Sequence, residues 1–561
     1  MTESSSTDEF YPNTLIVKEI SSFIDNEQYD QAYNYLIALT DQQIYDGTWD
    51  LCTYLFYLGE KSTDKLCNEN EIYAQDALKY VAEHGNPREM LIIMLEQSDK
   101  FITDEAFLFH MKLFLLILKR LPIKPSLINS LRDILTLLQC HLHTLEIPAI
   151  NHDFAGKDLL VFNHDHRINR LLKLTQACVE FFCELRDYFS TTTVIDIRSM
   201  LTKSLITLLQ DPLIALSYEP INSQESSSYT SIRPLLDCLF TLTPNPIRII
   251  DKDEQQSTLV YLLLTKDDNF NRLPCVYSPS YYLFLSIPFI LQLSQDRERV
   301  MLTEKACALS SSVCSRLAAG KEFDQSMLDN NQLHDLIDTL KIVLVQSPAR
   351  QYASLTIGAY RSLFQAFTPL GRYHFLRQQL AKTSHREDSY RTFLCTLFKD
   401  EFLSDYRSGS SEIYKGALLF QLLDYLCRLP NGVESDLLEI YDCLCSSLNL
   451  IRFIGLVDKQ RVNRTLLWSE RLKTLNETFI KPLRKSIQLA RAHYKLEIRN
   501  KNDNNNQQVQ QPVDTEILVD NMPLAMPNKQ EQLETLHTAV TKFDVLDCIL
   551  GSLSDTFAGE L

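Results

Sequence analysis

Glycine is scarce in this chain: 13 residues of 561, about 2% where globular proteins use roughly 7%. Phosphate-cradling loops, nucleophile elbows and tight β-hairpins all need glycine, because only glycine reaches positive φ without steric cost. The shortage argues against nucleotide-binding and hydrolase frameworks and against a sheet-rich fold. Long apolar runs are missing too. The two longest, Tyr281 to Leu291 and Phe107 to Leu118, are interrupted by Ser286 and Pro288 and by His110 and Lys112. Both fall short of the ~20 residues that span a bilayer, so no membrane insertion is expected. Residues 1–13, MTESSSTDEFYPN, have neither a basic start nor an apolar stretch, and no secretory signal is expected there. Fourteen cysteines lack the regular spacing of a disulfide framework, which is a device of short secreted chains. A reducing home, cytoplasmic or also nuclear, is the expectation, with Cys178, Cys183, Cys427 and Cys548 as small core hydrophobes.

What is present is helical periodicity. Leu127, Leu131, Ile134, Leu138, Leu142 and Leu145 step by fours and threes along one face, the signature of an amphipathic helix. Similar stripes run at about 103–120, 166–189, 297–318, 325–346, 349–367, 410–428 and 433–456. Twenty prolines fall mostly between apolar segments, where they suit first turns and punctuate a series of helices. Ser126 is a candidate cap, Ser347-Pro348 a candidate helix start, and Asn431-Gly432 a turn. Thr14 to Ile20 fits a strand or a first helix. With 45% apolar residues, the pattern predicts an all-α chain: a HEAT- or armadillo-like helical repeat solenoid, elongated, in which stacked pairs bury each other's stripes. An irregular helical domain is the alternative. The expected organisation is a disordered N-terminus at 1–13, N-terminal helical repeats at 14–270, and C-terminal HEAT-like repeats at 271–561. The last carry the partner-binding surface. Serine-rich residues 219–231 read as unstructured, and so does the polar tract at 500–512, NKNDNNNQQVQQP, a linker interrupting the C-terminal repeats.

No catalytic or cofactor constellation emerges. His141, His143, His152, His164 and His166 crowd together, but the close pairs are two apart, whereas zinc ligands on a helix share a face at i and i+4. Gly156-Lys157 lacks the flanking glycine and Ser/Thr of a phosphate loop. Asp335 and Asp338 beside His334 read as a solvated face. The expectation is a non-enzyme with no metal and no cofactor. The net charge of −17, from 55 basic and 72 acidic side chains, repels nucleic acid and anionic lipid.

That charge is uneven. Residues 451–500 hold twelve Lys/Arg and four Asp/Glu, a net of +8, which leaves −25 on the rest. Within this stretch Trp468, Leu472, Leu475, Phe479, Leu483, Ile487, Ala490 and Tyr494 form an apolar stripe, read as core. Pro482 predicts a kink or a new start. Two readings stay open for the cations: a basic surface for an acidic partner, or a solvated back complementing the protein's own acidic body. No aromatic platform for nucleic acid accompanies them.

Ser447-Leu448-Asn449-Leu450-Ile451-Arg452-Phe453 is similar to the SLNLLRYL segment of the glomulin family, and further C-terminal motifs resemble that family. Leu429-Pro430-Asn431-Gly432 with Asp436-Leu437-Leu438 lies upstream of it. Leu467-Trp468, Phe479-Ile480-Lys481-Pro482-Leu483, Ala492-His493-Tyr494 and Glu497-Ile498 follow in the family's order, then Asn521-Met522-Pro523, Leu536-His537 and Phe543-Asp544. The likeness covers about 410–557, with a thin echo at Ser278-Pro279 and Tyr282-Leu283. The Asn/Gln tract departs from the family's shorter linker. The resemblance implies a HEAT-like solenoid whose C-terminal repeats clasp the RING domain of the RING-box subunit of cullin–RING ubiquitin ligases. It would thereby block docking of the ubiquitin-conjugating enzyme. Binding to immunophilins and to a receptor tyrosine kinase is implied as well, at sites the motifs do not place. On this reading Lys481, Arg484, Lys485, Arg491 and Lys495 are candidate steering charges, with Leu536 and Phe543 as core or contact. The rival reading is a helical-repeat scaffold or tether for another multiprotein complex.

Overall fold

The computed structural model describes residues 15–61, 68–97, 103–122, 124–146, 165–189, 195–208, 210–217, 227–250, 256–295, 300–346, 350–384, 386–409, 413–459, 464–468, 470–503, 518–519, 522–523 and 529–557. The fold is all-α. Among these residues the only extended pairing is a two-residue antiparallel ladder, Leu518–Val519 with Met522–Pro523, and an isolated bridge between Phe323 and Phe367. No described helix is long and apolar enough to cross a membrane. The chain forms two compact units, Met1–Ser278 with Pro288–Leu309, and Pro279–Ile287 with Ser310–Leu561. In each, the main helix–helix contacts join helices one to three places apart along the chain, the packing of a helical-repeat solenoid.

The first unit starts with short helices: Leu15–Asp25, Tyr29–Ala38, Asp41–Asp46 and Thr48–Lys61. Thr40 and Gln43 close a capping box at the third, each side chain accepting from the other's backbone N–H. Further helices follow, most of them longer, among them Asn68–His84, Pro87–Gln97, Asp104–Arg120, Pro125–His143, His166–Tyr188 and Ser227–Leu242. Arg120 donates to the carbonyls of Ala82 and Gly85 at 2.6 and 2.7 Å. It thereby satisfies acceptors that the end of Asn68–His84 leaves open.

The second unit carries Asn331–Gln346, Arg350–Ala366, Pro369–Lys382, Asp388–Ser408, Gly416–Leu426, Tyr441–Lys459, Glu470–Leu475, Lys481–Asp503 and Lys529–Thr556. Its core centres on aromatic rings: Tyr360, Phe364, Phe367, Phe375 and Tyr390 are all buried and lie edge to face or tilted. The hydroxyls inside that core are satisfied, Tyr360 with Tyr390 at 2.5 Å and Tyr390 donating to Gln379 at 3.0 Å, as burial demands. Asp388 caps a neighbouring helix in trans, accepting from the backbone N–H of Asp442 (2.9 Å) and Cys443 (3.0 Å).

Several local expectations change. Ser126 lies inside its helix, because Pro125 occupies the first turn and the extended Lys124 is the cap residue. Thr14–Ile20 resolves as helix from Leu15. The stripe at 433–456 becomes a 3-10 turn at Gly432–Glu434, with Gly432 at φ +57, and a helix starting only at Tyr441. Asp436 accounts for the break, since its carboxylate accepts from the N–H groups of Leu438 and Glu439. Cys548 is exposed and Cys183 half-buried; position 548 falls between the inward Leu546 and Leu550. Helix persists through Asp503 and begins at Ser227, so only 504–512 of the expected linker and 219–226 of the serine-rich stretch lie outside the described residues. Residues 1–13 and Ser347-Pro348 lie outside them as well.

Candidate protein-binding surface

Three helices build the C-terminal surface. Lys529–Thr556 packs on both Tyr441–Lys459 and Lys481–Asp503. Its inward residues, Leu536, Ala539, Phe543, Leu546, Leu550, Leu553 and the following Phe557, are all buried and step by threes and fours. Phe557 seats its ring directly on the backbone at Gly455 and lies 4.7 Å from the Trp468 ring. The approach to Lys481–Asp503 is made through a π-helical turn, Asn476–Ile480. Pro482 has no N–H to donate into the preceding turn and its ring crowds the carbonyl there. A wider turn accommodates both, and the predicted kink takes that form.

Lys481–Asp503 and Lys529–Thr556 run antiparallel, as contacts from four residues of the first helix show. Arg484 donates to Ser554 Oγ at 3.0 Å, and Arg491 reaches Asp544 at 2.9 Å and Asp547 at 3.1 Å. Tyr494 meets Phe543 edge to face at 5.4 Å, and Lys501 donates to Gln532 at 2.7 Å. Burial, with Asp436 and Glu497 nearby, raises the Tyr494 hydroxyl above its ordinary pKa.

The seven residues singled out by sequence therefore divide. Leu536 and Phe543 are buried between helices and belong to the core. Arg491 was expected among the exposed charges; its side chain is only 23% exposed and turns inward onto two carboxylates. Lys481 is exposed but pairs with Glu477 one turn earlier. Arg484 is exposed with a hydroxyl partner. Lys485 and Lys495 are exposed and, among the described residues, have no ion-pair partner; the same holds for Arg499. Between them Leu489 and Leu496 are 54% and 59% exposed, with exposed Ala492 in line. The outward face thus reads Lys485, Leu489, Ala492, Leu496, Arg499, at steps of four and three. Sequence reasoning missed Leu489, Leu496 and Arg499 as surface candidates. The signal was available: this second stripe lies opposite the buried Leu483 and Ile487 on the same helix.

His141 stacks on Phe107 at 4.1 Å near Asp104, while the side chain of His166 is in solvent; His152 and His164 lie outside the described residues. Among the described residues no group of three or more His, Cys, Asp or Glu could hold a metal ion. Asp458, fully buried, accepts from the Thr465 N–H, the Thr465 hydroxyl and the Tyr406 hydroxyl, tying residue 465 back to the helix end.

No family model matches the chain. Over 302 residues it is 26% identical to glomulin of Mus musculus, a stretch amounting to 54% of this chain and 50% of that protein. The similarity is to glomulin. Glomulin of Homo sapiens is 25% identical over 313 residues, again 54% of this chain and 50% of its own length. The chain spans about half the length of the curated relatives it matches.

Proposed function

We propose that this chain is a non-enzymatic protein-binding scaffold, working as glomulin-like proteins are expected to. Its C-terminal helices occupy the RING domain of a RING-box subunit and keep the ubiquitin-conjugating enzyme from docking on a cullin–RING ligase. The observation that carries this reading is the similarity to mouse and human glomulin over 54% of the chain. The outward stripe of Lys481–Asp503 supports it chemically. Unpaired cations flanking two exposed leucines offer an apolar anchor with a charged rim, the usual anatomy of a protein interface. Competition needs area and complementarity, on the order of 800 Å² per partner, and no reacting group.

The test is ubiquitin transfer by a reconstituted RING-box–cullin complex. Added at stoichiometric concentration, the full chain is expected to slow transfer, and excess conjugating enzyme to restore it. A chain that neither binds the RING-box subunit nor slows transfer overturns the proposal. Binding without inhibition would point instead to a scaffold or tether.

A further inference from the structure

The first hundred residues hold nineteen acidic and six basic side chains, a net of −13 out of the chain's −17. Their helices also leave aromatic and aliphatic side chains in solvent. Tyr33, Ile37, Asp41, Tyr45 and Trp49 recur every four residues across Tyr29–Ala38, Asp41–Asp46 and Thr48–Lys61. Ile37, Tyr45 and Trp49 are each more than 40% exposed. A second ridge, Asp76, Tyr80, Glu83 and His84, runs beside them on Asn68–His84.

The two ridges touch. The Tyr33 and Tyr80 rings lie 6.5 Å apart, edge to face, and Tyr80 lies 4.2 Å from His84. The Tyr80 hydroxyl donates to the Ile37 carbonyl at 3.4 Å. Burial raises the Tyr33 hydroxyl pKa, and the neighbouring charges of Asp76 and Glu83 raise it further. Burial lowers the pKa of the Arg120 guanidinium, and the charges of Tyr45, Asp41 and Glu83 oppose that shift. Both ends of that guanidinium are already committed to the Ala82 and Gly85 carbonyls. Asp41, Asp76 and Glu83 are exposed and, among the described residues, sit in no salt bridge.

We propose that Tyr33, Ile37, Asp41, Tyr45, Asp76, Tyr80 and Glu83 form a docking surface for a basic, arginine-bearing segment of a partner protein. Charge complementarity selects the occupant. Aromatic faces with carboxylates alongside bind a guanidinium by stacking and by charge, and a planar guanidinium stacks better than an ammonium. An acidic or lipid partner would meet repulsion from the −13 net charge. The surface belongs to the first unit and does not depend on the RING-box reading.

The experiment uses the full chain and a short fluorescein-labelled peptide alternating Arg and Ser, with its Lys counterpart, read by anisotropy in low salt. The Arg peptide is expected to bind more tightly than the Lys peptide. Asp76→Lys combined with Glu83→Lys is expected to weaken Arg-peptide binding about tenfold or more, and Tyr80→Ala severalfold, whereas Tyr80→Phe retains it. Because Tyr80→Ala could perturb packing, the reversal at the two exposed carboxylates is the deciding variant. Unchanged affinity in that variant overturns the proposal. So does an equal loss in the control Glu534→Lys with Asp555→Lys, which would reduce the effect to net charge. Sedimentation of the chain alone adds a further arm: self-association abolished by Asp76→Lys with Glu83→Lys would make the occupant a second copy and overturn a separate partner.

Discussion

Gly455 sits well inside the Tyr441–Lys459 helix, where propensity alone would favour alanine by about 1 kcal/mol. The packing reverses that sign. A Cβ at this position would fall 2.8 and 3.1 Å from two ring carbons of Phe557, and nearer still to Cζ. The ring cannot simply swing out, because it is fully buried and lies against Trp468. If it shifts within the core, overpacking costs about 1–3 kcal/mol; if it is expelled, the loss approaches the roughly 3–5 kcal/mol of a buried Phe→Ala change. Set against the propensity gain, Gly455→Ala is expected to destabilise by up to about 2 kcal/mol if the ring shifts and by about 2–4 kcal/mol if it is expelled. Only two tryptophans exist, Trp49 and Trp468, so urea unfolding of the second unit can be followed through Trp468 in a Trp49→Phe background. The same substitution in a Phe557→Ala background should be neutral or stabilising, since the obstacle is gone. Equal stability of Gly455→Ala and wild type, or an equal cost in both backgrounds, would refute the argument.

Reversing Lys485, Lys495 and Arg499 to Glu is expected to slow association with a RING-box–cullin complex severalfold at low salt and to leave thermal stability unchanged, since rim charges act on encounter. Stopped-flow rates against ionic strength, beside a melting curve, check this. Leu489→Ala with Leu496→Ala should raise the dissociation rate and leave association nearly constant, measured by surface plasmon resonance. Arg491→Ala should behave oppositely to the rim charges, destabilising the chain by about 1–2 kcal/mol in urea because Asp544 and Asp547 lose their shared partner. His110 and His141 are both held below the ordinary imidazole pKa, by burial first. Their depressed folded values favour the neutral rings: this stability is complete above about pH 6.5, the unfolded value, and is lost as pH falls toward the folded values. Melting temperature should therefore drop between pH 7 and 5, and His110→Gln with His141→Gln should flatten that drop.

Element type was legible wherever a stripe extended over several turns. The Pro125–His143 and His166–Tyr188 helices start within a residue or two of the patterned segments, because a half-buried helix must repeat its apolar face. Breaks were less legible. The start at Tyr441 depends on an Asp436 carboxylate folding onto nearby amides and on Asp388, more than fifty residues earlier, reaching the first turn. Neither is a property of a local window. The π-turn before Pro482 was half legible: the sequence demanded a disturbance, while its form depends on how Phe479 and Ile480 are both buried. The candidate surface was misjudged at single residues. Whether Arg491 or Lys495 faces solvent depends on where Lys529–Thr556 lies, across a connection of more than twenty residues, and a charge count over 451–500 averages the two faces together.

That division of one helix into two faces has an energetic consequence for binding. The inner face of Lys481–Asp503 is fixed by Leu483, Ile487, Arg491 and Tyr494, so the backbone that displays the outer face is already ordered before any partner arrives. What remains to be immobilised is side chains, at roughly 0.5–1.5 kcal/mol for each long one. Two leucines already half-exposed return about 1–2 kcal/mol apiece when covered, enough to offset much of that ordering. The cations, paired or not, add little at equilibrium where water still reaches them. Affinity is thus expected to reside in Leu489 and Leu496, and rate and orientation in Lys485, Lys495 and Arg499. On the proposed reading, occupancy of a RING surface needs the first to persist and the second to arrive before a competitor.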